Sequence, residues 1–110
     1  MLSFSLALEA VKQGKRIARV GWNGKGMFVF MRPGDALTVD TVVNKVKSLP
    51  HTVKDYYAKM HEGYRPLVPG EEPTIKFTSY LCMVAADGFI VNGWLASQTD
   101  MLAEDWTILD

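Results

Sequence analysis

Phe4, Ala7, Leu8 and Val11 recur at the i, i+3, i+4 and i+7 spacing of one helix face, so the chain opens on an amphipathic helix. Ser3 is placed to cap its first amides and Gly14 to end it in the left-handed conformation. Lys12, Lys15 and Arg16 lie near the negative end of that helix dipole. Arg16 to Val20 then reads as a short strand, with Ala18 and Val20 on one face. Gly21 to Gly26 holds three glycines and an asparagine, the composition of a turn. Met27 to Met31 is an unbroken run of apolar, β-prone residues, which predicts a strand buried on both faces. Arg32-Pro33-Gly34-Asp35 ends it.

The middle of the chain, Thr38 to Pro73, changes character. Val39, Val42, Val43 and Val46 have helical spacing, as do Val53, Tyr56, Tyr57 and Met60. Pro50 separates the two runs and Gly63 closes the second; Pro66, Pro69, Gly70 and Pro73 mark an irregular connection. Residues 38–73 therefore read as an insertion or lid within one domain spanning residues 1–110.

Beyond it, Ile75 to Val84 reads as a strand, Asp87-Gly88 as a two-residue hairpin turn, and Phe89 to Leu95 as the returning strand. Ser97 with Asp100 three residues on forms the pattern of a capping box, opening a short helix through Glu104. Trp106 to Leu109 makes a last strand. The expected fold class is α+β: a small antiparallel sheet with an N-terminal helix, a short C-terminal helix and a helical or irregular insertion.

Composition narrows the function. The chain is 48% apolar and 22% charged, in the range of globular domains. Twelve basic and twelve acidic residues cancel, leaving no large positive field for a nucleic-acid backbone, so neither DNA nor RNA is an expected partner. Cys82 is the only cysteine, which excludes a disulfide framework and a cysteine-rich zinc site. No apolar run reaches the length of a membrane span, and the N-terminus is unlike a signal peptide, so a cytoplasmic protein is expected.

Two segments carry candidate chemistry. In Trp22-Asn23-Gly24-Lys25-Gly26, Trp22 offers a stacking face and the glycines let backbone amides approach a phosphate. The other reading of this segment is a hairpin turn with Trp22 folded onto the core. In Trp94 to Trp106, two indoles bracket Ser97, Gln98, Thr99 and Asp100, a flat aromatic surface beside neutral hydrogen-bonding groups. Here too core packing and helix capping are an alternative. Tyr56, Tyr57, Tyr64 and Arg65 form an aromatic and basic cluster that suits either helix packing or a base-and-phosphate contact. His51 and His61 stand ten residues apart and do not share a helix face, so no metal site is expected. Glu71-Glu72 reads as a solvated loop pair. Glu104-Asp105 sits badly for the dipole of the expected helix, which suggests either a partner or a tertiary contact holds it there. No acid, base or nucleophile constellation is visible, so binding is favoured over catalysis.

Phe4-x-x-Ala7-Leu8-Glu9-Ala10-Val11-Lys12-x-Gly14-Lys15-x-Ile17-Ala18-Arg19, then Gly21-Trp22-Asn23-Gly24-Lys25-Gly26-Met27, resembles a phage and prophage family, the second type of Thoeris anti-defence proteins. So does the ending Trp94-Leu95-Ala96-Ser97-Gln98-Thr99-Asp100-Met101-Leu102-Ala103-x-Asp105-Trp106. The resemblance covers residues 1–34 and 79–110, leaving the middle outside it. It implies a non-enzymatic sponge without cofactors. Such proteins assemble as homotetramers in the cytoplasm of the infected host and sequester the cyclic ADP-ribose-type signal of bacterial immune TIR proteins. Some relatives also hold cyclic dinucleotides in separate pockets.

Carried onto matching positions, the resemblance makes Trp22, Asn23 and Met27 of the first motif ligand-binding candidates, with Trp94, Ser97, Thr99 and Asp100 of the second. Physical reasoning adds Arg19, Lys25 and Arg32 as cations for the pyrophosphate. An indole stacked on the base contributes about 1–3 kcal/mol. Two competing readings remain open: an enzyme degrading a cyclic nucleotide signal, which needs a metal or general base, and a protein-interaction module.

Overall fold

A computed structural model of the protein describes residues 1–63 and 72–109. Tyr64, Arg65, Pro66, Pro69, Gly70 and Glu71 lie outside them. The chain divides into two compact units, residues 1–33 with 79–110, and residues 34–78. The architecture is α+β, as expected: four helices, a five-stranded antiparallel sheet and a two-stranded sheet among the described residues.

The first unit begins with helix α1, Phe4–Lys12. Ser3 Oγ accepts the Leu6 N–H at 3.4 Å, satisfying one of the amides left without a partner in the first turn. The helix ends at Gly14, whose φ of 90° is costly for any residue with a Cβ. Gly14 and Lys15 donate their N–H groups back to the Val11 and Ala10 carbonyls at 3.0 and 3.2 Å, the Schellman pattern.

Strands β1 (Arg16–Arg19), β2 (Phe28–Arg32), β5 (Tyr80–Val84), β6 (Ile90–Asn92) and β7 (Trp106–Leu109) form the sheet in the order β6-β5-β2-β1-β7. Register decides which side chains share a face. Ile17 pairs with both Val29 and Ile108, Arg19 with Trp106, and Val29 with Met83. Alternation along each strand therefore places Ile17, Val29 and Trp106 on one face, Ala18, Phe28 and Thr107 on the other. Helix α1 covers the first face, where Ala7, Ala10 and Val11 pack with Ile17, Val29 and Trp106 into the core. Its two alanines let the helix approach the sheet closely.

Three sequence expectations change here. The second strand is not buried on both faces: Val29 is fully buried, whereas Phe28, Phe30 and Met31 are half-buried, because α1 covers one side. The hairpin after β5 is not a two-residue turn. Gly88 donates to Ala85 at 2.9 Å and Ala85 to Phe89 at 2.9 Å, so three residues form the loop. Asp87 keeps a negative φ and only Gly88 is left-handed at 85°, the type I turn with a glycine bulge. The returning strand is also shorter than expected, Ile90–Asn92, and Gly93 at φ 73° follows it.

The second unit holds strand β3 (Asp35–Thr38), helices α2 (Val39–Asn44) and α3 (His51–Met60), and strand β4 (Thr74–Phe77). The expected continuous strand from Ile75 to Val84 is thus two strands broken at Thr78-Ser79. Its first half pairs with β3, from Asp35 opposite Phe77 to Thr38 opposite Thr74, and its second half with β2. Thr38 Oγ1 caps α2 through the Thr41 N–H at 3.2 Å. Val42 and Ile75 are buried, while α3 buries no residue fully and leaves Tyr56 and Met60 exposed.

Candidate ligand groove

The segment after β1 tightens into a single 3-10 turn, Val20–Trp22, instead of running straight into a hairpin. Asn23 follows in the left-handed region at φ 58° and donates its N–H to the Val20 carbonyl at 3.0 Å. Gly24 and Gly26 continue with φ of 66° and 76°. Asparagine and glycine adopt these angles at least cost, so the chain turns sharply and returns as β2.

Beside this turn, on the sheet face opposite α1, lies a groove of about 470 Å³. That volume falls within the range of small-molecule sites, roughly 300–1,000 Å³. Ala18, Phe28 and Thr107 contribute from β1, β2 and β7, and the turn adds Trp22, Lys25 and Met27. Arg16 and Arg19 complete the basic part of the wall. The Arg16 guanidinium stands 4.9 Å from the Phe28 ring centroid. Among the described residues, no aspartate, glutamate, histidine or cysteine belongs to the lining.

Trp22 is both wall and core. Half-buried, it meets Trp106 at 5.4 Å and 80°, and Trp94 at 6.5 Å and 83°. Such edge-to-face contacts match the ring quadrupoles. Trp106 is fully buried, packs on Phe4 at 5.4 Å, and donates its Nε1–H to the Asp100 carbonyl at 2.9 Å.

Asp100 lies in the first turn of helix α4, Gln98–Leu102. The capping box is present: Ser97 Oγ accepts the Asp100 N–H at 3.1 Å, and Asp100 Oδ2 accepts the Ser97 N–H at 3.4 Å. Asp100 Oδ1 receives Arg19 Nη1 at 2.8 Å, and Arg19 Nε reaches Asp105 Oδ1 at 2.9 Å. The three side chains are only 18%, 16% and 27% exposed for Arg19, Asp100 and Asp105. The hydrogen bonds Arg19 donates, to Asp105 first and then to Asp100, push its pKa up against the effect of burial. The Arg19 guanidinium holds the Asp105 carboxyl below its ordinary range, burial opposes this, and the Gly21 N–H assists at 2.9 Å. The helix stops at Leu102, two residues earlier than expected, so Asp105 does not sit on its negative end. A tertiary contact holds it.

Of the sequence candidates, Trp22, Met27, Arg19 and Lys25 come together on the groove. Asn23 is exposed at the turn. Trp94, Ser97, Thr99 and Asp100 gather at the start of α4, behind Trp22 and Arg19, and are not part of the lining. Arg32 lies four residues along β2 from Phe28, about 13 Å away, with its guanidinium 5.6 Å from the Tyr80 ring centroid. Arg16, Phe28 and Thr107 were missed because only strand register brings them to one face. Asp105 carried a signal, its awkward charge, without a partner to go with it.

The family model of the Tad2-like, or Thoeris anti-defense 2-like, domain matches residues 2–109. The chain belongs to this Thoeris anti-defense 2-like family. It is also 36% identical, over 108 residues, to Thoeris anti-defense 2 of Bacillus phage SP01, covering 98% of this chain and 94% of the relative. Family membership supports a role in blocking Thoeris defence, and the family description carries no sign of catalysis. The match runs through the segment 38–73, which the two sequence motifs left out. Among the described residues, no helix is long and apolar enough to cross a membrane, and no three metal-ligating side chains gather.

Proposed function

We propose that the chain blocks Thoeris defence as a non-catalytic sponge, holding a cyclic ADP-ribose-type signal in the groove beside the Trp22 turn. The observation that carries this reading is the lining itself: among the described residues it gathers Trp22, Phe28 and three basic residues, with no acidic residue, histidine or cysteine. A purine has a planar face for Trp22 or Phe28, and a pyrophosphate has charge for Lys25. Thr107 offers a hydroxyl to ribose. Arg19 faces two carboxylates and so adds shape more than net charge. Hydrolysis needs a general base or a metal-bound water, and the described residues of this wall include no side chain of either kind.

Sub-micromolar holding corresponds to more than about 8 kcal/mol of binding. An open groove on so small a domain reaches that more readily when a second copy closes over it, which favours a homo-oligomer, with a tetramer the expected form. Asn23, Trp94, Ser97, Thr99 and Asp100 remain ligand candidates in that assembly. The site of action is the cytoplasm of the infected host.

The deciding experiment is calorimetric titration against cyclic ADP-ribose isomers and cyclic dinucleotides, followed by heat denaturation and chromatography of the released ligand. A sponge returns it intact. Cleaved or linearised product identifies an enzyme instead, and an absence of both binding heat and any melting shift identifies a protein-interaction module.

A further inference from the structure

Asp105 stands where β7 begins, and both of its carboxylate oxygens are engaged. Oδ1 accepts from Arg19 Nε and Oδ2 from the Gly21 backbone N–H, each at 2.9 Å. The Asp105 carbonyl also accepts the Val20 N–H at 2.9 Å. Through Arg19 the connection runs on to Asp100 and the first turn of α4. Arg19 and Trp22 form part of the groove wall, whereas Asp105 does not. Gly21 lies directly against this carboxylate. A Cβ there would lie 3.0 Å from Asp105 Oδ2, so any larger residue presses on the carboxylate and moves it by a few tenths of an ångström.

We propose that Asp105 is a positioning residue of the groove: it fixes the Arg19 guanidinium and the Val20–Trp22 turn in the receiving geometry, without touching the ligand, which rests on the reading of this groove as the nucleotide site. The chemistry matches the need. A carboxylate offers two acceptor oxygens in a fixed fork, one for a guanidinium and one for a main-chain amide. Together they tie the end of β1 to the start of the turn. Released from it, Trp22 samples other orientations, and apparent affinity falls in proportion to the receptive fraction.

The test compares Asp105→Asn and Gly21→Ala with Lys25→Ala as a wall control. Gly21→Ala keeps every charge and displaces only the carboxylate, so it stands in should Asp105→Asn lose its far-ultraviolet dichroism. Two readouts are taken: the near-ultraviolet dichroism of the tryptophans without ligand, and calorimetric affinity for the cyclic ADP-ribose isomer that the unmodified protein binds best. Asp105→Asn and Gly21→Ala are expected to alter the tryptophan band, with secondary structure intact, and to weaken affinity by on the order of tenfold, a receptive fraction near one in ten. Saturating ligand restores the band. Lys25→Ala weakens affinity and leaves the band unchanged.

Affinity within about twofold of the unmodified protein in both positioning variants overturns the proposal. Weaker affinity with an unchanged band overturns it as well, since Asp105 would then be touching ligand. Should the unmodified protein bind no isomer, the nucleotide reading fails separately, and the ligand-free band decides for the clamp: altered sustains it, unchanged removes it.

Discussion

Replacing Trp106 with phenylalanine tests whether the indole is a core anchor, and its cost can be worked from its surroundings. The side chain is fully buried and packs on Phe4, Trp22 and Trp94. Trp106→Phe removes the Nε1–H donated to the Asp100 carbonyl, a neutral hydrogen bond contributing about 1 kcal/mol. The smaller ring leaves a gap on the order of 40 Å³, which at roughly 24 cal/mol per Å³ adds about 1 kcal/mol. Lost transfer free energy of the deleted atoms brings the total to about 2–3 kcal/mol, below the roughly 3–5 kcal/mol of a truncation to alanine. Urea unfolding followed by far-ultraviolet dichroism measures it, at one fixed protein concentration because assembly contributes to apparent stability. The midpoint should fall by on the order of 1–2 M with the slope unchanged. Trp22→Phe, at a half-buried site, should cost less. A Trp106→Phe loss under about 0.5 kcal/mol, the range of neutral surface substitutions, would refute the anchor reading.

Lys25→Glu should weaken binding of the cyclic ADP-ribose-type ligand at least about tenfold by calorimetry, one charge reversal near a pyrophosphate, while shifting stability by less than about 0.5 kcal/mol. Ser97→Ala removes the cap of α4 and should cost about 1 kcal/mol in chemical denaturation. Asp105 is held below its ordinary value of 3.8, so the unfolded chain takes up its proton first as pH falls. Its stabilising contribution is therefore complete above about pH 4 and is lost as pH drops through the lowered folded value. A melting-temperature profile from neutral pH into acid should show a shallower acid limb for Asp105→Asn than for the unmodified protein.

What was legible in the sequence follows from where each feature finds its partners. Helix α1, its glycine stop and the capping box at Ser97 depend on residues three or four apart, and all are present as read. The α+β class follows from the same local periodicities. The break at Thr78-Ser79 was not legible, because it arises when consecutive strands pair with different partners, β3 and β2. Half-burial of the second strand needs knowledge of which face α1 covers. The groove depends on register: Ala18 opposite Thr107 is a long-range pairing that no local spacing announces. Asp105 and Arg19 are 86 residues apart, and the awkward acid showed only half of that pair.

The two motifs divide the work in a way their sequences alone left open. Trp22 packs against the core, where its ring meets two other indoles, and also borders the groove proposed for the ligand. Trp94 and Trp106 stand behind it, and Asp100 and Asp105 hold Arg19 beside it. In the folded chain the second motif therefore braces the first. Under the proposed nucleotide reading that bracing has a thermodynamic use: a flat ring already fixed by its neighbours loses little freedom when a base stacks on it, so more of the stacking free energy appears as affinity. A small domain with an open groove gains from such preorganisation, and removing a brace should weaken binding even though the bracing side chains never meet the ligand.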